Sequence, residues 1–143
     1  MLTATATGLL GEHVAAAAIL SMADGWGVGM TQQDGVDLLA WRDNLYVRVQ
    51  VKSAKPYHYN KGNYHFQLGA GSKKKTLPSV KDHDMVALVG VNHRRVRFLA
   101  TEQIRQYTKR ITHRWFENPE NEIDSFNHAI AIIEARNGLV KVS

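Results

Sequence analysis

Glu12, Asp37, Gln50 and Lys52 are the side chains of this sequence whose types and spacing could do chemistry on a phosphate. Leu45 to Ser53 reads as a strand in which Leu45, Val47, Val49 and Val51 share one face while Tyr46, Arg48, Gln50 and Lys52 share the other. Val36 to Trp41 is a second such run, and the Asp43-Asn44 pair between them suits a two-residue hairpin turn because both residues tolerate positive φ. With that turn Arg42 opposes Leu45 and Asp37 opposes Gln50, their Cβ atoms ~5 Å apart on one side of the sheet. A carboxylate, an amide oxygen and an ammonium then converge, with Lys52 one step further along. The competing reading is a solvated hairpin face, and one extra loop residue or a bulge would move the register.

The chemistry such a trio supports starts from a hard cation. Mg2+, with Mn2+ as a substitute, takes oxygen ligands, which Asp37, the Gln50 side chain and the Val51 backbone carbonyl can supply. It would bind a phosphate oxygen and acidify a water, while Lys52 positions or deprotonates that water and stabilises charge gathering on phosphorus. Glu12 could complete the acidic site directly or through a water. Its competing reading is a helix carboxylate neutralised by a nearby Lys or Arg.

Several elements must position these groups. Leu9 to Ala23 predicts a helix with Thr7 as N-cap and Gly25 past its end, so apolar that it should be buried on most sides. A glycine-rich turn follows. Beyond the hairpin, Tyr64 to Leu68, Met85 to Val91 and Val96 to Ala100 read as strands, the second continuously apolar and therefore central in a sheet. Thr101 is expected to cap a short helix through Tyr107. The last helix has Asn118 as N-cap, Pro119 first, acids in its first turn and Asn137-Gly138 at its end, with Ile123, Phe126, Ile130 and Ile133 as one apolar stripe. That stripe is either core or an interface.

The length predicts a single domain, with a core over about 8–100 and a C-terminal helical extension over about 101–143. The absence of cysteine excludes disulfides and thiolate metal sites. The N-terminal apolar run lacks a preceding Lys or Arg and is too short to span a bilayer, so no signal peptide, no membrane segment and a cytoplasmic location are expected.

The net charge of +5 conceals an asymmetry. Residues 1–41 contain no Lys or Arg and four acids, whereas residues 42–114 contain sixteen Lys or Arg against four acids. The middle of the chain is built to meet a polyanion. Arg48, Lys55, Tyr57, Lys61, Lys73, Lys74 and Lys75 are its candidate nucleic-acid contacts: lysines take phosphates, and the interleaved aromatics stack on bases or form a lid over the core. Lys73 to Lys75 is otherwise a plain solvated run, and Arg48 could equally pair with an acid on a neighbouring strand.

The order Gly11-Glu12, then Asp37 opening a strand, then Gln50-Val51-Lys52 in its partner resembles the PD-(D/E)XK nuclease superfamily in its Q-x-K variant. GVDLLA and LYVRVQVKSA are similar to the core of archaeal Holliday junction resolvases and of intron-associated homing endonucleases. The resemblance covers roughly residues 8–100, and Glu12, Asp37, Gln50 and Lys52 are the matching positions. It departs in having Val36 where a proline is usual and Gln50 where an acid is usual. It implies an α/β, restriction-endonuclease-like mixed sheet flanked by helices and metal-dependent hydrolysis of phosphodiesters in double-stranded DNA, in homing or restriction-like fashion. Junction resolution, RNA processing and a decayed DNA-binding module are the alternatives. Cutting a duplex takes two active sites or two visits, so a homodimer or homotetramer is expected, with the Ile123 stripe as the suspected contact.

Overall fold

The computed structural model describes residues 2–31, 33–57, 62–69 and 74–138. Helix α1 (Ala4–Leu20) begins where the Thr3 hydroxyl accepts the Ala6 N–H at 3.0 Å, a turn earlier than the sequence predicts. Thr7, expected as the cap, lies inside the helix and donates its hydroxyl to the Thr3 carbonyl. Either threonine could cap by type alone, and the helix starts at the first. Its composition is apolar all round, yet it buries one stripe, Thr7, Gly11, Ala15, Ala18 and Ile19. Leu9 and Leu20 face outward, each more than half exposed.

Strands β1 (Gly27–Met30), β2 (Leu38–Arg42), β3 (Leu45–Ala54), β5 (Met85–Gly90) and β6 (Arg95–Ala100) form a five-stranded sheet in the order β1-β2-β3-β5-β6. The β3–β5 pair is parallel and the others antiparallel, so the sheet is mixed. β5 lies inside it with every residue buried, as its unbroken apolar run requires. The β2–β3 hairpin has the expected two-residue turn, Asp43 taking φ +53, and pairs Arg42 with Leu45 through to Leu38 with Val49. β1 occupies the stretch expected as a glycine-rich turn. Its Gly-Val-Gly-Met sequence has little strand propensity of its own and is held by the open edge of β2.

A second, two-stranded sheet pairs β4 (Tyr64–Gln67) with β7 (Thr108–Ile111). The helix expected from Thr101 to Tyr107 is a single 3-10 turn, Thr101–Gln103, after which the chain extends to reach β4. Helices α2 (His113–Glu117) and α3 (Pro119–Arg136) follow. Asn118 caps α3 by accepting the Glu120 N–H at 3.0 Å, and Gly138 follows it at φ +73.

The main sheet separates two cores. On one face Leu38, Val47, Val49, Met85, Ala87 and Phe98 meet α1 and α3. On the other, Val86, Leu88 and Leu99 meet Tyr64, Phe66 and Ile111 of the small sheet and Phe116 of α2. Phe126, Ile130 and Ile133 of the α3 stripe are buried against the sheet, so the stripe is core, and only Ile123 at its start is exposed. The chain after Ala100 is therefore built into both layers. Among the described residues no helix is long and apolar enough to cross a membrane.

Candidate active site

The site begins with a close approach between α1 and β3. A Cβ at Gly11 would lie 1.7 Å from Ser53 Oγ and 2.9 Å from Ser53 Cβ, so only glycine lets the helix lie this near the strand. Glu12, the next residue, is thereby carried to the end of β2.

There the hairpin ladder departs from its register. The Asp37 N–H donates to the Val49 carbonyl at 2.8 Å, although Val49 is already the partner of Leu38. Two residues thus face one, the arrangement of a β-bulge. The pairing expected between Asp37 and Gln50 is replaced by this slip. The Asp37 carbonyl stays on the β1 side, accepting the Thr31 N–H, and its carboxylate takes over the strand's next donor, accepting the Val51 N–H at 2.8 Å. A side chain fills the place that the main chain has left, so the Asp37 carboxylate is fixed against β3 at Val51.

Glu12 lies near enough to Asp37 for each carboxyl to feel the other. Its pKa is raised above the usual 4.5, first by burial, then by the charge of Asp37 and the hydrogen bond to it, against a small opposing effect of His13. Lys52 is half-buried and its ammonium pKa is lowered from 10.5, first by burial and also by Lys75, while Asp37 acts in the opposite direction. The two acids and the lysine feel one another, and the acids are crowded at a cost. Gln50 is half-buried and alternates with Val49 and Val51 on the face of Arg48 and Lys52.

This donor set suits a hard divalent cation. Two carboxylates pressed together, one with a raised pKa, gain most from a positive ion between them, and an amide oxygen on the adjoining strand is a compatible third ligand. Among the described residues no group of three His, Cys, Asp or Glu side chains converges to hold a metal, so a cation here would depend on Gln50 or backbone oxygen beyond the two acids.

The remaining candidates divide. Lys55 and Tyr57 line, with Lys52, a cleft of about 610 Å³ beside α1, and the Lys55 ammonium donates to the Leu2 carbonyl at 2.9 Å. Lys75 is near enough to Lys52 to perturb it, and Lys74 is exposed. Lys61 and Lys73 lie outside the described residues. Arg48 forms the alternative expected for it, an ion pair. Its Nε and Nη2 donate to Asp84 at 3.0 and 3.2 Å, and its Nη groups also donate to the carbonyls of Val80 and Lys81. Asp84 in turn accepts Arg136 Nη1 at 2.8 Å, and Arg136 reaches Glu102 at 3.0 Å. The sequence offers no pattern for this network, whose Asp84–Arg136 pair joins residues 52 apart.

Comparison with known proteins places the fold. The chain is similar to the solved structure of a bacterial homing endonuclease, I-Ssp6803I, over 99% of this chain and 100% of that one, with a TM-score of 0.70 at 17% identity. No family model matches the sequence. No curated protein matches it either. A mixed α/β fold with a central mixed sheet flanked by helices, of restriction-endonuclease-like architecture, is thus shared at distant sequence identity and nearly full length.

Proposed function

We propose that this chain is a Mg2+-dependent endonuclease hydrolysing phosphodiester bonds of double-stranded DNA at preferred sequences. The observation that carries the reading is the crowding of Glu12 against Asp37 with Lys52 beside them. The fold shared with a homing endonuclease and the basic middle of the chain support it.

Asp37, the Gln50 side-chain oxygen, the Val51 carbonyl and Glu12, directly or through a water, would hold the cation. When bound, it supplies charge neutralisation at the phosphate and a more acidic water. The Val51 N–H orients the Asp37 carboxylate, so that the site is set before DNA arrives. Lys52 Nζ can hydrogen-bond a water and offset charge building on phosphate oxygens. Its lowered pKa brings proton exchange at Nζ closer to neutral pH. Lys55, Tyr57 and Lys75 border the approach, with Lys74 beyond them. Cutting both strands takes two such sites or two visits, and the working form on this reading is a homodimer or homotetramer.

The test is incubation of the purified chain with supercoiled plasmid and random-sequence duplexes in Mg2+ or Mn2+, alongside Asp37→Ala. Defined fragments that vanish in the variant are expected. Cutting by Asp37→Ala at the wild-type rate would remove this site from the reaction. A four-way junction at equal concentration separates duplex cutting from junction resolution. A second reading, a DNA-binding module that has lost catalysis, rests on the amide of Gln50 standing where the resemblance has an acid. Salt-sensitive binding without turnover, and turnover gained by Gln50→Glu, would favour it.

A further inference from the structure

A second set of chemistry-bearing side chains lies on the β4–β7 ribbon. The register pairs Tyr64 with Ile111, His65 with Arg110, Phe66 with Lys109 and Gln67 with Thr108. Alternate residues face opposite sides. Tyr64, Phe66 and Ile111 are buried against the main sheet, so His65 and Arg110, and next to them Gln67 and Thr108, form the outer face. Gln67, Thr108 and Arg110 are exposed and His65 is half-buried. All four can hydrogen-bond, and none is acidic.

Two clefts flank this face. Beyond β4, the cleft of about 610 Å³ joins His65 and Gln67 to Lys52 and Lys55. Beyond β7, a cleft of about 320 Å³ brings Lys109 together with Arg97 and Arg105. Arg97 lies over the Trp115 ring at 5.2 Å, and burial lowers the pKa of both Arg97 and Lys109, with Arg97 adding to the effect on Lys109. The sequence has no acid in 44–81 or in 103–116, the stretches that supply the ribbon and most of both clefts. A polar two-stranded ribbon bordered on each side by cations matches one element of nucleic acid. The major groove of B-DNA, about 12 Å wide, admits a two-stranded ribbon and has a phosphate backbone on either side.

We propose that the β4–β7 ribbon enters the major groove of duplex DNA, where Gln67, Arg110 and Thr108 read base edges while the two clefts take the phosphates of the two strands. Arginine suits guanine, glutamine suits adenine, and the threonine methyl can meet that of thymine. This inference rests on the nuclease reading, because Lys52 opens into the first cleft, and it adds what would select the sequence to be cut.

The experiment separates the two by measuring binding alone. Full-length wild type, Gln67→Ala, Arg110→Ala and Lys109→Ala each select from a random duplex pool in Ca2+ and in EDTA, and the bound DNA is sequenced, after thermal melts show equal folding. Wild type is expected to enrich a motif. Gln67→Ala and Arg110→Ala are each expected to lose about 10- to 100-fold of discrimination at one or two positions. Lys109→Ala should weaken binding to all sequences alike and reduce the salt slope by about 1. The inference is overturned if wild type enriches no motif, or if the two ribbon variants weaken all duplexes equally. A chain that enriches no motif can still cut plasmid, which would leave the metal-dependent cleavage standing without its sequence preference.

Discussion

Arg48 and Lys52 lie four residues apart on one face of β3 and live in opposite electrical surroundings. Arg48 belongs to a closed set in which Asp84, Arg136 and Glu102 meet it charge for charge. Burial alone would raise the Asp84 pKa, but its hydrogen bonds from Arg48 and Arg136 outweigh that and hold it below the usual 3.8. Around Lys52 the balance is open: burial and Lys75 press on the ammonium, and burial and Asp37 press on Glu12. A closed set ties β3 to α3 and steadies the frame. An open set is one that an incoming cation and phosphate can complete.

The comparison breaks first at Lys52. Lys52→Ala should cut DNA about 10²- to 10³-fold more slowly while retaining binding, because it removes charge stabilisation at the reacting phosphate. Its Tm should not fall, since the cost of burying the cation outweighs the favourable charge of Asp37. Near wild-type cleavage would mean that the open cluster is not the working site.

Asp84→Ala should act in the other way, costing about 3 kcal/mol in urea titrations because Arg48 and Arg136 lose their shared carboxylate. A depressed folded pKa gives stability that is full above pH 3.8 and is lost as pH falls through the folded value. Wild type should therefore lose its advantage over Asp84→Ala below about pH 4. An advantage that persists unchanged into strong acid would show that the network is not what stabilises the chain.

The smallest effect is expected at Glu12. Its raised folded pKa means that stability is fully present below pH 4.5 and declines as pH rises through the folded value. Glu12→Gln should hence stabilise the apoprotein at pH 7, by no more than about 0.5 kcal/mol given the screening of a partly exposed group. Mg2+ should raise the Tm of wild type more than that of Glu12→Gln. Equal shifts would place the cation elsewhere.

Much of this frame can be read from local sequence. The alternation in β3, the Asp-Asn turn, the apolar run of β5 and the caps of α3 are short-range patterns, and each forms where those patterns predict. β1 and β7 escape because Gly-Val-Gly-Met and Thr-Lys-Arg-Ile become strands only through the partners they meet. α1 looked buried on most sides because alanine is apolar by type and small enough to remain outside. The residue types at Glu12, Asp37, Gln50 and Lys52 were visible, and the nearness of Glu12 and Lys52 to Asp37 agrees with the order in which they stand. The slip at Asp37 was not visible, because it depends on which backbone donor β2 leaves unpaired. The Asp84 network joins residues far apart in the chain and has no periodicity to expose it.

The bond from Val51 to the Asp37 carboxylate bears on how such a site would decay. Asp37 completes a strand whether or not it also offers oxygen to a cation as proposed, so a lineage released from the proposed cutting of DNA would still be selected to keep it. Glu12 and Lys52 carry charges that the fold would be steadier without, and drift would remove them first. Descendants of this chain are therefore better sorted into working and retired copies by Glu12 and Lys52 than by the aspartate.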